Sequence, residues 1–148
     1  MTQLFAEILL LVPSALCTGF LVFIAVVLQK VMNELDESDF QKFLKLLDKH
    51  ALKSPYAIGV SSITFVGMIP YWYFYGLSNI WFSAGLIVYT IASIVSKSVN
   101  LPIYKKIFAL DNNDAVRLDE ERRNLHRGNL LRASIQSASI VLMMLGFL

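Results

Sequence analysis

A single cysteine, Cys17, and two histidines, His50 and His126, are all that 148 residues offer of the softer metal ligands. One cysteine cannot close an internal disulfide, and inside a hydrophobic segment it reads as a small packing residue. The two histidines stand 76 residues apart, and no group of His, Cys, Asp or Glu has ligand spacing, so neither a metal site nor a cofactor is expected. Asp111-Asn112-Asn113-Asp114 lacks the alternation of a calcium loop and reads as a turn. Charge is also scarce, at 16% of residues against about 25% in soluble domains. A net charge of +2, with the basic residues flanking apolar runs, excludes a nucleic-acid partner. No Gly-, Ser- or Pro-rich stretch and no fixed-period repeat divides the chain, so residues 1–148 read as one domain.

What fills the space is apolar. Hydrophobic residues make up 56% of the chain, and 43 consecutive residues between Lys53 and Lys97 carry no charge. Ile8 to Gln29 is a second uncharged run. A transmembrane helix needs about 20 apolar residues to cross roughly 30 Å of hydrocarbon. The pattern predicts four spans, at about Leu4–Leu28, Pro55–Tyr75, Ile80–Val99 and Gly128–Leu148, with a tight turn at Gly76-Leu77-Ser78-Asn79. The fold class is all-α, a polytopic four-helix bundle whose first partner is the lipid bilayer. No Lys or Arg precedes the first run, so an uncleaved helix is expected rather than a signal peptide. The uncharged part of the last span, Ala133 to Leu148, covers only about 24 Å, which draws Arg132 below the membrane surface. There it either snorkels or finds a partner within the bundle, Asn100 first.

The first interhelical segment has a pattern of its own. Phe40, Phe43, Leu44, Leu47 and Ala51 share one face, Asp39, Lys42, Lys45, Asp48 and Lys49 the rest, and Ser38 with Gln41 matches a capping box. An amphipathic helix on the membrane or under the bundle is expected. Arg117 to Arg127 reads as a charged helix leading into the fourth span. Tyr71 to Tyr75 with Trp81 and Phe82 forms an aromatic belt at the opposite boundary.

Glu7 is the one acidic residue outside the charged segments. It suits a solvated carboxylate in a first helical turn, or else an ion or proton site with Ser14 and Thr18 on the same face. Two polar stripes carry more information. Thr90, Ser93, Lys97, Asn100 and Tyr104 step along the third span, and Asn129, Arg132, Gln136 and Ser139 along the fourth. Buried in hydrocarbon, such groups must satisfy one another, so the stripes should face inward and meet near one end. Ala92-x-x-x-Ser96, Ala133-x-x-x-Ser137 and Ser134-x-x-x-Ala138 are also ordinary small-residue packing, which covers the hydroxyls. Lys97, Asn100, Tyr104, Asn129, Arg132 and Gln136 are left as lining of a binding cleft.

Val99-Asn100-Leu101-Pro102-Ile103 resembles the Asn-x-Pro motif, and Asn129-Leu130-Leu131-Arg132-Ala133 the Asn-x-x-Arg motif, of the anthrone-oxygenase-like family of small four-helix membrane proteins. Gly19, the long first loop, the tight outer turn and the charged loop before the last span fit the same layout. Tyr104 stands where that family often has a second Asn, and Leu125 and His126 lie where a Trp is common. The resemblance implies a cofactor-independent oxygenase of electron-rich aromatic ketones, in which a base forms a carbanion that reacts with O₂. It makes His126 the candidate base, with Arg132, Asn100 and Asn129 as donors to an enolate oxygen. Competing readings are a structural or accessory subunit, with a homo-oligomer or membrane partner, and a small transporter, which the lack of mid-membrane charge disfavours.

Orientation follows from basic residues. Five lie in Lys30–Lys53 and eight in Lys97–Arg132, none elsewhere, which places both segments in the cytoplasm of a plasma or inner membrane and both termini on the other side. Alkaline phosphatase fused at the C-terminus should be active in bacteria. Activity of a fusion at residue 115 instead would reverse the topology.

Overall fold

The computed structural model describes residues 2–51, 53–110 and 114–148, and the described residues form helices joined by short turns, with no strand. α1, Gln3–Phe23, passes through a π-helical turn at Ile24–Leu28 and continues as α2, Gln29–Glu34. α3 is Glu37–Ala51, α4 Pro55–Tyr75, α5 Ile80–Ala109 and α6 Ala115–Leu145. Three helices, Gln3–Glu34, α4 and α5, are long and apolar enough to cross a membrane. Leu9, Val12, Val66, Ile69, Ile94 and Val141 are exposed on the outside, the inverse of a water-soluble bundle.

Local chemistry sets the boundaries. Thr2, Ser54 and Asn79 cap α1, α4 and α5, each side-chain oxygen accepting from the backbone N–H three residues on. Pro55 occupies the first turn of α4, where its missing N–H costs nothing. Gly76, at φ +58°, stops α4 in a conformation only glycine adopts freely. α4 has the predicted bounds, whereas α5 runs ten residues past Val99 and carries Pro102 inside the helix. The charged helix and the fourth apolar segment are one element, α6. Asp111, Asn112 and Asn113 of the expected turn lie outside the described residues.

Two apolar clusters organise the bundle. One, near the α4–α5 turn, joins Leu10, Tyr71, Phe82, Leu86, Tyr89 and Met143. The other, at the α3 end, joins Met32, Phe40, Leu44, Ile107, Leu118 and Leu125. The aromatic belt is accordingly only partial. Tyr73, Phe74 and Trp81 are exposed, but Tyr71 and Phe82 turn inward as core.

α3 differs from its expected capping box. Asp36, not Ser38, accepts from the Asp39 N–H at 2.8 Å. Gln41 reaches instead across to α5 and donates to the carbonyls of Ile107 and Leu110 at 3.3 and 3.2 Å, supplying a partner to the α5 C-terminus. Arg122 of α6 closes the corner between α2 and α3. It donates to Leu35 O at 2.9 Å and Asp36 O at 3.0 Å, with its guanidinium 4.1 Å from the Phe40 ring centroid. Burial lowers the pKa of Arg122 from its ordinary value, while nearby Glu37, Asp119 and Asp36 oppose that shift.

α5 and α6 form the most extensive helix pair, and glycines bring them together. A Cβ on Gly85 would stand 2.8 Å from both Met143 N and Ser139 O on the α6 backbone, which cannot yield as a side chain would. Gly19 faces open space. Gly85→Ala should therefore destabilise the detergent-solubilised protein by about 1–3 kcal/mol, seen as a lower Tm, while Gly19→Ala leaves Tm nearly unchanged. Equal Tm values for both variants would show that α5 and α6 do not pack at this distance.

Candidate functional site

Between the two apolar clusters lies a polar layer built on Asn129 of α6. Its side chain is fully buried and has partners in three directions. Asn129 Oδ1 accepts from Asn100 Nδ2 of α5 at 3.2 Å and from Arg132 Nη2 at 3.2 Å. Asn129 Nδ2 donates to Gln29 Oε1 of α2 at 3.0 Å, and Gln29 Nε2 donates onward to Asn33 Oδ1 at 3.0 Å. The π-helical turn at Ile24–Leu28 precedes Gln29 and sets the direction in which it faces. Gly128 permits the approach of α5, because a Cβ there would collide with Asn100 Oδ1.

Arg132 points into the bundle. Its α5 partner is Ser96, whose Oγ accepts from Nη1 at 3.2 Å, and Asn100 is reached only through Asn129. The Nε of Arg132 is buried and has no hydrogen-bond partner among the described residues. Two cavities meet at this side chain. The upper, about 390 Å³, is lined by Cys17 and Leu21 of α1, Ser61, Phe65 and Val66 of α4, Tyr89 and Lys97 of α5, and Gln136 of α6. The lower, about 240 Å³, is lined by Phe20 and Ile24, by Leu47 and Asp48 of α3, and by Asn100 and Tyr104. Leu21, Ser96, Lys97 and Arg132 border both.

The two stripes thus meet, Asn100 against Asn129, but divide in role. Asn100 and Asn129 tie α5, α6 and α2 together. Lys97, Tyr104, Arg132 and Gln136 line space. Thr90, Ser93 and Ser139 bond backward to carbonyls of their own helices, with no ligand needed. His126 lines neither cavity. Six residues before Arg132, it lies about 9 Å lower along α6 and on a different face, so the base implied by the family resemblance is not brought to the cleft. Cys17, read as a small packing residue, and Asp48, read as part of a polar helix face, border the cavities as well, as does Tyr89, which has no distinguishing mark in the sequence.

The opposite end holds a second polar node, and it replaces the solvated carboxylate expected at Glu7. Glu7 is 4% exposed, and its Oε1 accepts from Gln3 Nε2 at 2.9 Å, Tyr71 OH at 2.9 Å and Asn79 Nδ2 at 3.0 Å. Asn79 Nδ2 also donates to Gly146 O at 2.9 Å, joining the two chain ends to the α4–α5 turn. Ser14 and Thr18 do not join this node. Ser14 instead pairs with Thr64 of α4 at 3.0 Å, and Thr18 bonds back to Ser14 O at 2.8 Å.

Asn129→Leu removes the shared partner of Asn100, Gln29 and Arg132 at once. Each buried polar group left without a partner costs about 1–3 kcal/mol. The variant should lose at least that much stability in detergent, measured by chemical or thermal unfolding, and an unchanged Tm would show the amide chain to be dispensable. No protein-family model, curated protein or solved structure matches this chain, so the meaning of the site rests on its geometry.

Proposed function

We propose that this chain is a multi-pass membrane protein that holds a small apolar molecule in the cleft beside Arg132. α1, α4, α5 and the second half of α6 are the four spans, with the α3 end cytoplasmic and both termini on the other side. The basic residues support that orientation, since all thirteen belong to the α2–α3 and α5–α6 regions. One observation carries the binding reading. A half-buried arginine that is in no ion pair among the described residues borders two cavities whose walls are largely apolar. A helix bundle held together only by its own contacts has no use for that space.

Carbanion oxygenation, which the resemblance implies, requires a base beside the substrate. With His126 away from both cavities, binding is proposed without assigning a reaction. A structural subunit is the second reading, favoured by the Asn100–Asn129–Gln29 chain, whose amides bond one another across α5, α6 and α2.

An aromatic ketone such as anthrone should raise the Tm of the purified protein, because a ligand that binds the folded state stabilises it. Ser96→Phe, which places a ring where the two cavities join, should abolish that gain. An identical gain in the variant would place binding elsewhere. No gain, together with a partner that co-purifies at constant ratio, would favour the structural subunit.

A further inference from the structure

The cleft has two features that a merely apolar pocket lacks: a lateral opening, and two basic side chains on its border, the exposed Lys97 and the half-buried Arg132. α4 packs on α1, through pairs such as Ser14 with Thr64 and Leu10 with Gly67, and among the described residues it meets α5 in the half nearest their turn, through Tyr71 with Phe82, Met68 with Thr90 and Phe65 with Tyr89. Below Phe65 the two helices enclose the upper cavity, bounded on one side by Ser61 and Ser62 and on the other by Ser93 and Lys97. The gap faces the lipid-exposed surface, where Ile58, Ile63, Val66 and Ile94 are exposed. A molecule dissolved in the bilayer can enter there without crossing water.

At the floor of that opening stand Lys97 and Arg132. Neither makes an ion pair among the described residues, and Lys97 makes no side-chain hydrogen bond there either. Among the described residues Asp48 is the one carboxylate lining the cleft; it shares the lower cavity with both cations and does not line the upper. Two cations against one carboxylate, beside low-dielectric walls, leave a net positive charge that attracts an anion. From Lys97 up to Tyr89 the cleft extends about 12 Å along α5.

Resting on the cleft reading above, we infer that the occupant is a single-chain amphiphile with an anionic head, a carboxylate or phosphate monoester. Its head is held by Lys97 and the Arg132 guanidinium, which both border the two cavities, and its chain lies between α4 and α5. Charge-assisted hydrogen bonds hold the head, and each buried methylene adds about 0.8 kcal/mol along the chain.

Cys17, the sole cysteine, borders the upper cavity and reports on its occupancy. The protein, in phosphatidylcholine nanodiscs, is titrated with dodecanoate, dodecyl phosphate or dodecanol, and the rate of Cys17 alkylation by N-ethylmaleimide is read alongside Tm. Both anions should slow alkylation and raise Tm at concentrations roughly tenfold lower than dodecanol needs, and Lys97→Gln should remove most of that advantage. Equal effects from dodecanol and the anions would overturn the anionic assignment while leaving the cleft reading intact. An effect seen only on replacing phosphatidylcholine with phosphatidylglycerol would make the occupant a two-chain bilayer lipid. No change in rate or Tm with any compound would overturn both readings.

Discussion

Asn129 is the point on which the rest of this structure depends. A polar side chain in an apolar bundle cannot turn to water, so its partners must come from neighbouring helices. Asn129 obtains them from α5, α2 and its own helix, and in doing so fixes the rotation of each. If α6 turned by one residue, Asn100, Gln29 and Arg132 would all lose a partner together. The apolar clusters above and below supply packing, but dispersion is tolerant of small rotations where a network of directional bonds is not.

The same constraint operates at the far end with a different residue. Glu7 draws Tyr71 and Asn79 to a single carboxylate oxygen, and Asn79 in turn holds Gly146. The beginning of α1, the α4–α5 turn and the end of α6 are fastened by side chains that span 72 and 67 positions of sequence. Between the two nodes, Gly85 and Gly128 let α5 and α6 approach closely enough for the bonds to form. α4, lacking any comparable tie to α5 below Phe65, leaves the cleft open.

That division sorts one stripe of residues by what it contacts. The amides bond other helices, whereas Lys97 bonds none among the described residues. Arg132 belongs to both groups, since its terminal nitrogens are anchored to Ser96 and Asn129 while Nε is left over. A guanidinium anchored at both terminal nitrogens is preorganised, so it would lose little conformational entropy on meeting the anion we propose.

Hydropathy by itself determined the helical class, Pro55 and Gly76 marked the boundaries of α4, and the short uncharged part of the last segment drew Arg132 below the surface without deciding whether it would turn inward. These rest on local composition and on the cost of burying polar groups, which any fold must respect. Sequence also placed the two polar stripes at one end, because residues three and four apart share a helical face. Only the tertiary structure decided which groups would pair. Gln41 read as part of a local cap and became the cap of α5, because Ile107 and Leu110 were brought to it from 66 and 69 residues away. Glu7 read as a first-turn carboxylate and became buried, because Tyr71 and Asn79 offered better partners than water. His126 and Arg132 are near neighbours in sequence yet face different surroundings, since six residues carry the helix past a full turn. Partners that come from distant elements leave no periodic trace in the chain, and so the cleft beside Arg132 exists only once the helices are packed.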